Sequence, residues 1–395
     1  MNRCAFAKWY KIQLLLLVLL SLVFAGCSVN NNKKTDSVKL PDLPQQNEVV
    51  KSYIKDMTLE EKIGQLMMVG IEGKELDDAT ADFLKKHKIG GVILFERNIE
   101  TAEQVSRLTA QLQNLRSGPS VVGMFISTDQ EGGRVNRLPG KEGRFPSASE
   151  LAKSGQPEEA RKSASKMAEQ MKRMGINMNF APIMDINSNP NNPVVGDRAF
   201  GSNPQIVSQM GLSFIKGTLD EGVIPVAKHF PGHGDTSVDS HTDMPVVKHS
   251  LDRLNNFELV PFKEAIKNYV PAIMTAHILL PALDEATPAA LSSSIIDGLL
   301  RKQLGFEGVV ISDDLDMGAI TKLYGTGDAA VKAVKSGIDI LLICHNKEGM
   351  VEAFDSLVAA AHRGEISMQK IDEAVLRVLT LKNNFGLIDK KSNVF

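Results

Sequence analysis

The sequence contains few of the features that mark several large protein classes. It has three cysteines in 395 residues, one tryptophan and a formal net charge of −2. Three cysteines cannot build the disulfide framework of a small secreted scaffold. A near-neutral charge argues against nucleic-acid binding, which needs a basic surplus. No G-x-G-x-x-G or Walker-type glycine pattern opens a predicted helix, which argues against a nucleotide-dependent enzyme. The length suits one large globular domain or two small ones.

One long apolar run lies near the N-terminus, over residues 14–24, and three basic residues precede it: Arg3, Lys8 and Lys11. The run is short for a membrane-spanning helix but has the length of the apolar part of an export signal. It ends in Val-Phe-Ala-Gly-Cys (23–27), which resembles the bacterial lipoprotein signal, with Phe24 in place of the usual leucine. The resemblance implies a signal peptide over residues 1–26, a lipidated Cys27, export, and anchoring at the cell membrane. An uncleaved N-terminal anchor is the alternative.

The chain after this signal has little apolar content up to residue 48, a composition that cannot bury a core. We therefore predict that residues 27–48 are the lipidated cysteine and a flexible linker, and that residues 49–395 form a single folded domain. Thr58-Leu59-Glu60-Glu61 matches a helix capping box and predicts the first helix of that domain. Cys344, in an apolar segment, is expected to be a small core residue.

Eight apolar segments rich in β-branched residues alternate with amphipathic helical patterns. The apolar segments cover residues 66–71, 91–95, 121–127, 178–186, 223–227, 272–276, 309–312 and 338–343. The helical patterns cover residues 102–115, 158–174, 204–219, 254–267, 293–304, 329–336, 350–361 and 371–382. Continuously apolar strands are typical of a parallel sheet buried on both faces. Eight of them predict an α/β fold, a (β/α)8 TIM-like barrel; an open doubly wound sheet is the competing architecture.

Polar residues follow most of these segments, at the position where barrel enzymes carry their active sites. They are Glu96, Arg97, Asp129, Asp185, Lys228, His229, His277, Asp313 and His345. Residues that follow strands throughout the chain converge only if the sheet closes on itself, so their distribution favours the barrel. The densest group lies in the segment Lys228–His241, where Pro231, Gly232 and Gly234 indicate a mobile loop.

Four motifs occur in order along the chain. They are Asp-Gln-Glu-Gly-Gly-Arg-Val-Asn-Arg (129–137), Gly-Asp-Arg-Ala-Phe-Gly (196–201), Lys-His-Phe-Pro-Gly-His-Gly-Asp-Thr-Ser-Val-Asp-Ser-His (228–241) and Ser-Asp-Asp-Leu (312–315). Together they resemble glycoside hydrolase family 3, specifically its bacterial β-N-acetylglucosaminidase branch, from about residue 58 to residue 387. The resemblance implies a barrel, often irregular, over residues 49–395. It also implies an Asp-x-His pair on a barrel loop, here Asp239 and His241, in place of a glutamate from a second domain.

Glycoside hydrolysis with retention needs a carboxylate that traps the anomeric carbon and a proton donor near the leaving oxygen. Side-chain alternation along the strand separates Asp313 from Asp314 but does not decide which one faces the barrel mouth. The resemblance points to Asp313, and Asp314 is then expected to bond to nearby backbone or loop groups. The resemblance also assigns the proton transfer to His241. Asp239 can fix the tautomer of that imidazole, as the carboxylate does in a Ser-His-Asp triad.

Sugar recognition needs side chains that hydrogen-bond to hydroxyl groups. By resemblance these are Asp129, Arg137, Arg198, Lys228 and His229, and two further strand-end residues, Asp185 and His277, are additional candidates. The alternative for each of them is a structural ion pair.

These observations predict a membrane-tethered, retaining exo-β-N-acetylglucosaminidase that uses no metal or cofactor. It would remove terminal non-reducing GlcNAc from peptidoglycan fragments or chitooligosaccharides through a covalent glycosyl-aspartate. One alternative is a family 3 β-glycosidase of another specificity. A second is a metal-dependent hydrolase built on the cluster His229, His233, Asp235, Asp239 and His241. A third is a sugar-binding barrel without turnover, although such a protein has no need for a nucleophile and a proton donor together.

Overall fold

A computed structural model of the chain describes residues 43–116, 122–141 and 143–388. Eight parallel strands form a closed barrel in chain order, and the last strand pairs with the first. They are β1 Met67–Gly70, β2 Gly91–Ile93, β3 Phe125–Thr128, β4 Met178–Asn179, β5 Ile224–Phe230, β6 Ala272–Thr275, β7 Val309–Asp314 and β8 Ile340–Ile343. The predicted (β/α)8 barrel is confirmed, and its strand order is regular rather than displaced or reversed.

Helices pack around the outside of the barrel. They are α1 Leu43–Asp56, α2 Leu59–Gln65, α3 Asp78–Lys86, α4 Ala102–Asn114, α5 Ala148–Lys153, α6 Pro157–Arg173, α7 Pro204–Asp220, α8 Leu251–Asn256, α9 Val260–Lys267, α10 Gly318–Thr321, α11 Thr326–Ser336, α12 Lys347–His362 and α13 Met368–Asn384, with a π-helix at Ser294–Gln303 and 3-10 turns at Glu96–Asn98, Gly196–Arg198 and Ala289–Leu291. Among the residues that the structure describes, no helix combines the length and apolarity needed to cross a bilayer.

Helix α1 differs from the sequence prediction. It begins at Leu43, within the stretch predicted to be linker, so the linker prediction does not hold for residues 43–48. Val50, Tyr53 and Ile54 recur at helical spacing and are buried, and α1 packs against α13. The capping box at Thr58 is present but opens α2, the second helix. The predicted signal peptide, the lipidated Cys27 and the rest of the linker lie outside the described residues.

The burial pattern of the strands shows where polar chemistry is accessible. All residues of β1 to β6 and of β8 are buried, as a closed barrel requires. In β7 the last two residues, Asp313 and Asp314, are partly exposed at the carboxyl end of the strand. The barrel therefore presents a carboxylate pair to solvent at the end where the predicted site residues lie.

Candidate active site

A cavity of about 350 Å³ at the carboxyl ends of the strands brings the predicted site residues together. Its lining includes Asp129, Arg137, Arg198, Lys228, His229, His241 and Asp313. Asp239, the remaining predicted residue, is hydrogen-bonded to His241 at the rim. Residues that are far apart in sequence therefore share one small chamber, because the parallel strands all end on the same side of the barrel.

Asp313 is the penultimate residue of β7 and lines this chamber. Its Oδ1 accepts a hydrogen bond from the backbone N–H of Asp314 at 2.9 Å. Burial alone would raise the pKa of the Asp313 carboxyl, but the electrostatic influence of His229, His277 and Lys228 outweighs burial and lowers that pKa. The side chain is therefore held as a carboxylate, the form that can act as a nucleophile.

An ion network lies at one wall of the chamber, where Asp129, Arg198 and Lys228 are in the lining and Glu131 is bonded to both cations. Lys228, which is 2% exposed, places its Nζ 2.5 Å from Asp129 Oδ1 and 2.8 Å from Glu131 Oε1. Arg198 donates two hydrogen bonds of 2.8 Å to the same Glu131 carboxylate. Burial raises the pKa of Glu131, but Arg198 and Lys228 outweigh it and lower that pKa well below the ordinary range. The two carboxylates and the two cations therefore hold one another in place.

Glu131 is a residue that the sequence interpretation included in a motif without giving it a role. Its charge is needed because Lys228 is buried and Arg198 is only 12% exposed, and Asp129 alone would leave one cation without a partner. The available signal was that Glu131 lies in the same motif as Asp129, while two cations, Arg198 and Lys228, were predicted for the same site.

Asp185 and His277, the two additional candidates, do not reach the chamber in this structure. Asp185 is fully buried, and its carboxylate accepts from His229 Nδ1 at 2.7 Å and from the His233 backbone N–H at 2.7 Å. His277 is fully buried and bonds through Nε2 to the Asp314 carbonyl oxygen at 2.9 Å. Both residues orient their neighbours, so their predicted contact with sugar is corrected to a positioning role.

The Asp239–His241 pair lies on the long connection between β5 and α8. Asp239 Oδ1 lies 2.7 Å from His241 Nδ1 and also accepts from the His241 backbone N–H at 2.9 Å. Burial raises the pKa of Asp239, but these two hydrogen bonds outweigh burial and lower it. The ionised carboxylate therefore fixes Nδ1 as the protonated ring nitrogen and leaves Nε2 free to exchange a proton. The imidazole is 65% exposed, at the edge of the chamber.

The connection that carries this pair is packed at its base, where the sequence predicted a mobile loop. His233 is 2% exposed, and its Nε2 bonds to Ser240 Oγ at 3.0 Å. A Cβ at Gly234 would lie 1.7 Å from the carbonyl oxygen of Ile186, so the glycine permits close packing rather than freedom. The first exposed residue of this connection is Ser237.

Asp314 and Asp316 also line the chamber. The sequence predicted backbone or loop bonding for Asp314 and no role for Asp316. Burial, together with the charges of Asp316 and Asp313, raises the pKa of Asp314 to about 7. Its Oδ1 accepts backbone N–H groups of Cys344 and Asp316, each at 3.1 Å, which agrees with the expected backbone bonding. Asp316 Oδ2 accepts the backbone N–H groups of Cys344, His345 and Asn346 at 2.8–3.1 Å. Cys344 itself is buried, as predicted.

Comparison with known proteins defines the family. The sequence model described as "Glycosyl hydrolase family 3 N terminal domain" matches residues 58–381. The chain belongs to glycoside hydrolase family 3. The predicted family and the predicted glycoside hydrolase are thereby confirmed.

Individual relatives carry names that agree with the predicted branch. The chain is 37% identical to Beta-hexosaminidase A of Pseudoalteromonas piscicida over 76% of this chain and 54% of that protein. It is 35% identical to Beta-hexosaminidase LpqI of Mycobacterium tuberculosis over 82% of each. A glycoside hydrolase family 3 β-N-acetylglucosaminidase from Paenibacillus sp. str. FPU-7 superposes with a TM-score of 0.81 at 44% identity, over 84% of this chain and 63% of that one. The chain thus spans little more than half of the first relative and most of the second.

In this family 3 protein, the side chains proposed for a metal cluster are engaged separately. His229 bonds to Asp185, His233 to Ser240 and Thr236, and Asp235 to His249. Within residues 43–116, 122–141 and 143–388, no three metal-binding side chains converge on one point. The donor arrangement therefore gives the metal-dependent alternative no support.

Replacing Glu131 by Gln should destabilise the protein by about 3 kcal/mol at pH 7, because it leaves Lys228 and Arg198 buried with too little negative charge. The lowered pKa of Glu131 means that its stabilising effect is present above the unfolded-state pKa of about 4.3 and is lost as pH falls toward the folded-state value. Urea unfolding at pH 7 and pH 3.5 should therefore show a smaller difference from wild type at the lower pH.

The matched control for this measurement is Glu159→Gln, which removes an exposed partner of Lys162 on α6. It should cost less than about 0.5 kcal/mol at either pH. Equal effects of the two substitutions would show that the buried network does not stabilise the barrel.

Proposed function

We propose that this chain is a retaining exo-β-N-acetylglucosaminidase in which Asp313 is the nucleophile and His241, held by Asp239, is the general acid and base. One observation carries the proposal: an ionised carboxylate at the end of β7 and an imidazole bonded to its own carboxylate line the same chamber. Nucleophile and proton carrier on one cavity are the two requirements of a retaining mechanism.

In the first step, the Asp313 carboxylate attacks the anomeric carbon while the bond from that carbon to the leaving oxygen breaks. His241 donates its Nε2 proton to the departing oxygen, so the leaving group departs as an alcohol. The imidazole is protonated before this step, and the negative Asp239 at 2.7 Å from Nδ1 stabilises that imidazolium. A covalent glycosyl-Asp313 ester results.

In the second step, His241 removes a proton from a water molecule, whose oxygen attacks the anomeric carbon of the ester. The bond to Asp313 breaks, and the carboxylate is regenerated together with the protonated imidazole. Two inversions at the same carbon give net retention. One histidine therefore acts as acid and then as base.

Asp129, Arg198 and Lys228 supply fixed charges for sugar hydroxyls, and Glu131 holds the two cations in place. Arg137 Nε is buried, lines the same chamber and has no hydrogen-bond partner among the described residues. A buried N–H group without an acceptor destabilises the protein, and a bound ligand can supply that acceptor. The small volume of the chamber suits one terminal sugar, which supports exo-action.

The cavity beside the chamber, which we assign to the aglycone, favours an anionic substrate. A second cavity of about 510 Å³ shares Arg137 with the chamber and is also lined by Arg134 and Arg144, against Glu96 and Glu100. Glu100 is paired with Lys74, and Arg134 with Asp197. Arg144 and Arg137 thus outnumber the remaining carboxylate, Glu96, and can meet a substrate carboxylate such as those of muropeptides. The name of the Paenibacillus structure, a β-N-acetylglucosaminidase, agrees with GlcNAc as the sugar removed. Export and a lipid anchor on Cys27 remain part of this proposal and rest on residues 1–27.

The proposal is tested by following the purified protein with GlcNAc-MurNAc and GlcNAc-GlcNAc disaccharides by proton NMR. We expect the GlcNAc released from GlcNAc-MurNAc to appear first as the β anomer, release to be faster from this carboxylate-bearing disaccharide than from GlcNAc-GlcNAc, and EDTA to have no effect. First appearance of the α anomer would contradict the retaining mechanism. Loss of activity in EDTA with recovery in zinc would instead favour the metal-dependent alternative.

A further inference from the structure

The loop that follows the nucleophile touches the loop that carries the proposed general acid. Gly318 and Ala319, the first residues of α10, donate their backbone N–H groups to the carbonyl oxygens of His241 at 3.2 Å and Ser240 at 3.1 Å. The first N–H groups of a helix have no partner within the helix. Here the catalytic loop supplies those partners.

Gly318 is required for this contact by its size and not by its backbone conformation. It is the first residue of α10 and does not have a positive φ, so its conformation does not require glycine. A Cβ at this position, however, would lie 2.7 Å from the carbonyl oxygen of His241 and 3.0 Å from that of Thr242. Both atoms are backbone, so a side chain here displaces the loop itself.

We propose that Gly318 is a positioning residue that sets the distance between the two halves of the catalytic machinery. Gly318 follows Asp313 after one short turn, and its backbone packs against the carbonyl group of His241. The same turn therefore positions both the nucleophile and the acid. This inference rests on the proposed function of Asp313 and His241.

A second contact holds the loop from the other side. The hydroxyl of Ser240, which is 2% exposed, bonds to His233 Nε2 at 3.0 Å, and the His233 backbone N–H is anchored on Asp185 at 2.7 Å. The exposed Lys322–Asp243 pair at 3.3 Å adds little in comparison. The tip that carries Asp239 and His241 is thus held between α10 and His233.

The test is Gly318→Ala, with Gly298→Ala as the matched control. Gly298 also lies in a helical segment, and its nearest atom to an added Cβ is at an ordinary 3.7 Å. Alanine is the better helix former at both sites, so neither change should weaken its helix. In Gly318→Ala we expect kcat/KM for a GlcNAc disaccharide to fall about 30-fold, because small misplacement of an acid is costly. For the dinitrophenyl glycoside, whose leaving group needs no proton, it should fall less than about 3-fold.

A further readout separates misplacement of His241 from general damage. Azide attacks the glycosyl-enzyme without needing a base, so it should raise kcat of Gly318→Ala on the dinitrophenyl glycoside severalfold and leave wild type unchanged. Equal losses on both substrates, no loss on either, or no response to azide would overturn the proposal.

Ser240→Ala provides the test if Gly318→Ala does not fold. Removing the bond to His233 should cause a smaller loss in the same direction, about 5-fold on the disaccharide and none on the dinitrophenyl glycoside. An equal effect of Ser240→Ala on both substrates would likewise overturn the proposal. Failure of the proposed function itself is distinguishable in wild type, which would then release no GlcNAc, release it first as the α anomer, or lose activity in EDTA.

Discussion

Asp313→Asn should lower kcat/KM by roughly four orders of magnitude, the scale of removing one member of a catalytic constellation. An amide cannot form the glycosyl ester, whereas its shape and its acceptor oxygen for the Asp314 N–H are retained. The variant should therefore fold, and its thermal transition should lie within a few degrees of wild type. Steady-state kinetics with a nitrophenyl β-N-acetylglucosaminide measure the loss.

The neighbouring aspartate is the matched control for this experiment. The pKa of Asp314 is raised to about 7, so a large part of the Asp314 population is already neutral at pH 6. Replacing it by the neutral Asn should cost less than about 10-fold at that pH. A larger loss in Asp314→Asn than in Asp313→Asn would reverse the assignment of the tandem aspartates.

His241→Ala should separate substrates by their leaving groups. Protonation by a positioned acid contributes roughly 10²- to 10⁴-fold, and only poor leaving groups need it. We expect kcat/KM to fall about 10³-fold for GlcNAc disaccharides and less than about 10-fold for a dinitrophenyl glycoside. Rates for a series of aryl glycosides would show a steeper dependence on leaving-group acidity than in wild type.

Asp239→Asn extends this prediction to the carboxylate that holds the imidazole. It removes the negative charge 2.7 Å from Nδ1 but keeps an acceptor oxygen for the His241 backbone N–H. The same selectivity between leaving groups should appear with a smaller amplitude. If either variant lost activity equally on all substrates, the pair would have a structural role rather than the proton-transfer role proposed here.

Much of the barrel follows from the sequence, because continuously apolar strands between amphipathic helices have few other solutions. The differences have local causes. In the segment predicted over residues 178–186, the strand has only two residues, because Pro182 cannot donate a hydrogen bond to the sheet. Pairing resumes as an isolated bridge between Ile183 and Lys228. The helix predicted over residues 254–267 is divided at Phe257–Leu259 into α8 and α9, and Pro261 lies in the first turn of α9.

The site was predictable in its members but not in its contacts. Strand ends and motifs identified Asp129, Lys228 and Asp313, because residue type and position carry that information. They could not show that Glu131 completes a buried ion network, or that the Asp185 carboxylate is hydrogen-bonded to His229 and His233. Both facts depend on side-chain distances across the barrel, and these distances cannot be read from the spacing of residues along the chain.

The central claim is that the anomeric carbon becomes bonded to Asp313. The most direct measurement is to inactivate the enzyme with a fluorosugar that forms the ester rapidly and releases it slowly, then to digest it and map the label by mass spectrometry. The account predicts one equivalent of sugar on the peptide that contains Asp313, and none in Asp313→Asn. An enzyme that turns over while its label lies on another residue, or that never becomes labelled because the acetamido group of the substrate takes part instead, would contradict it.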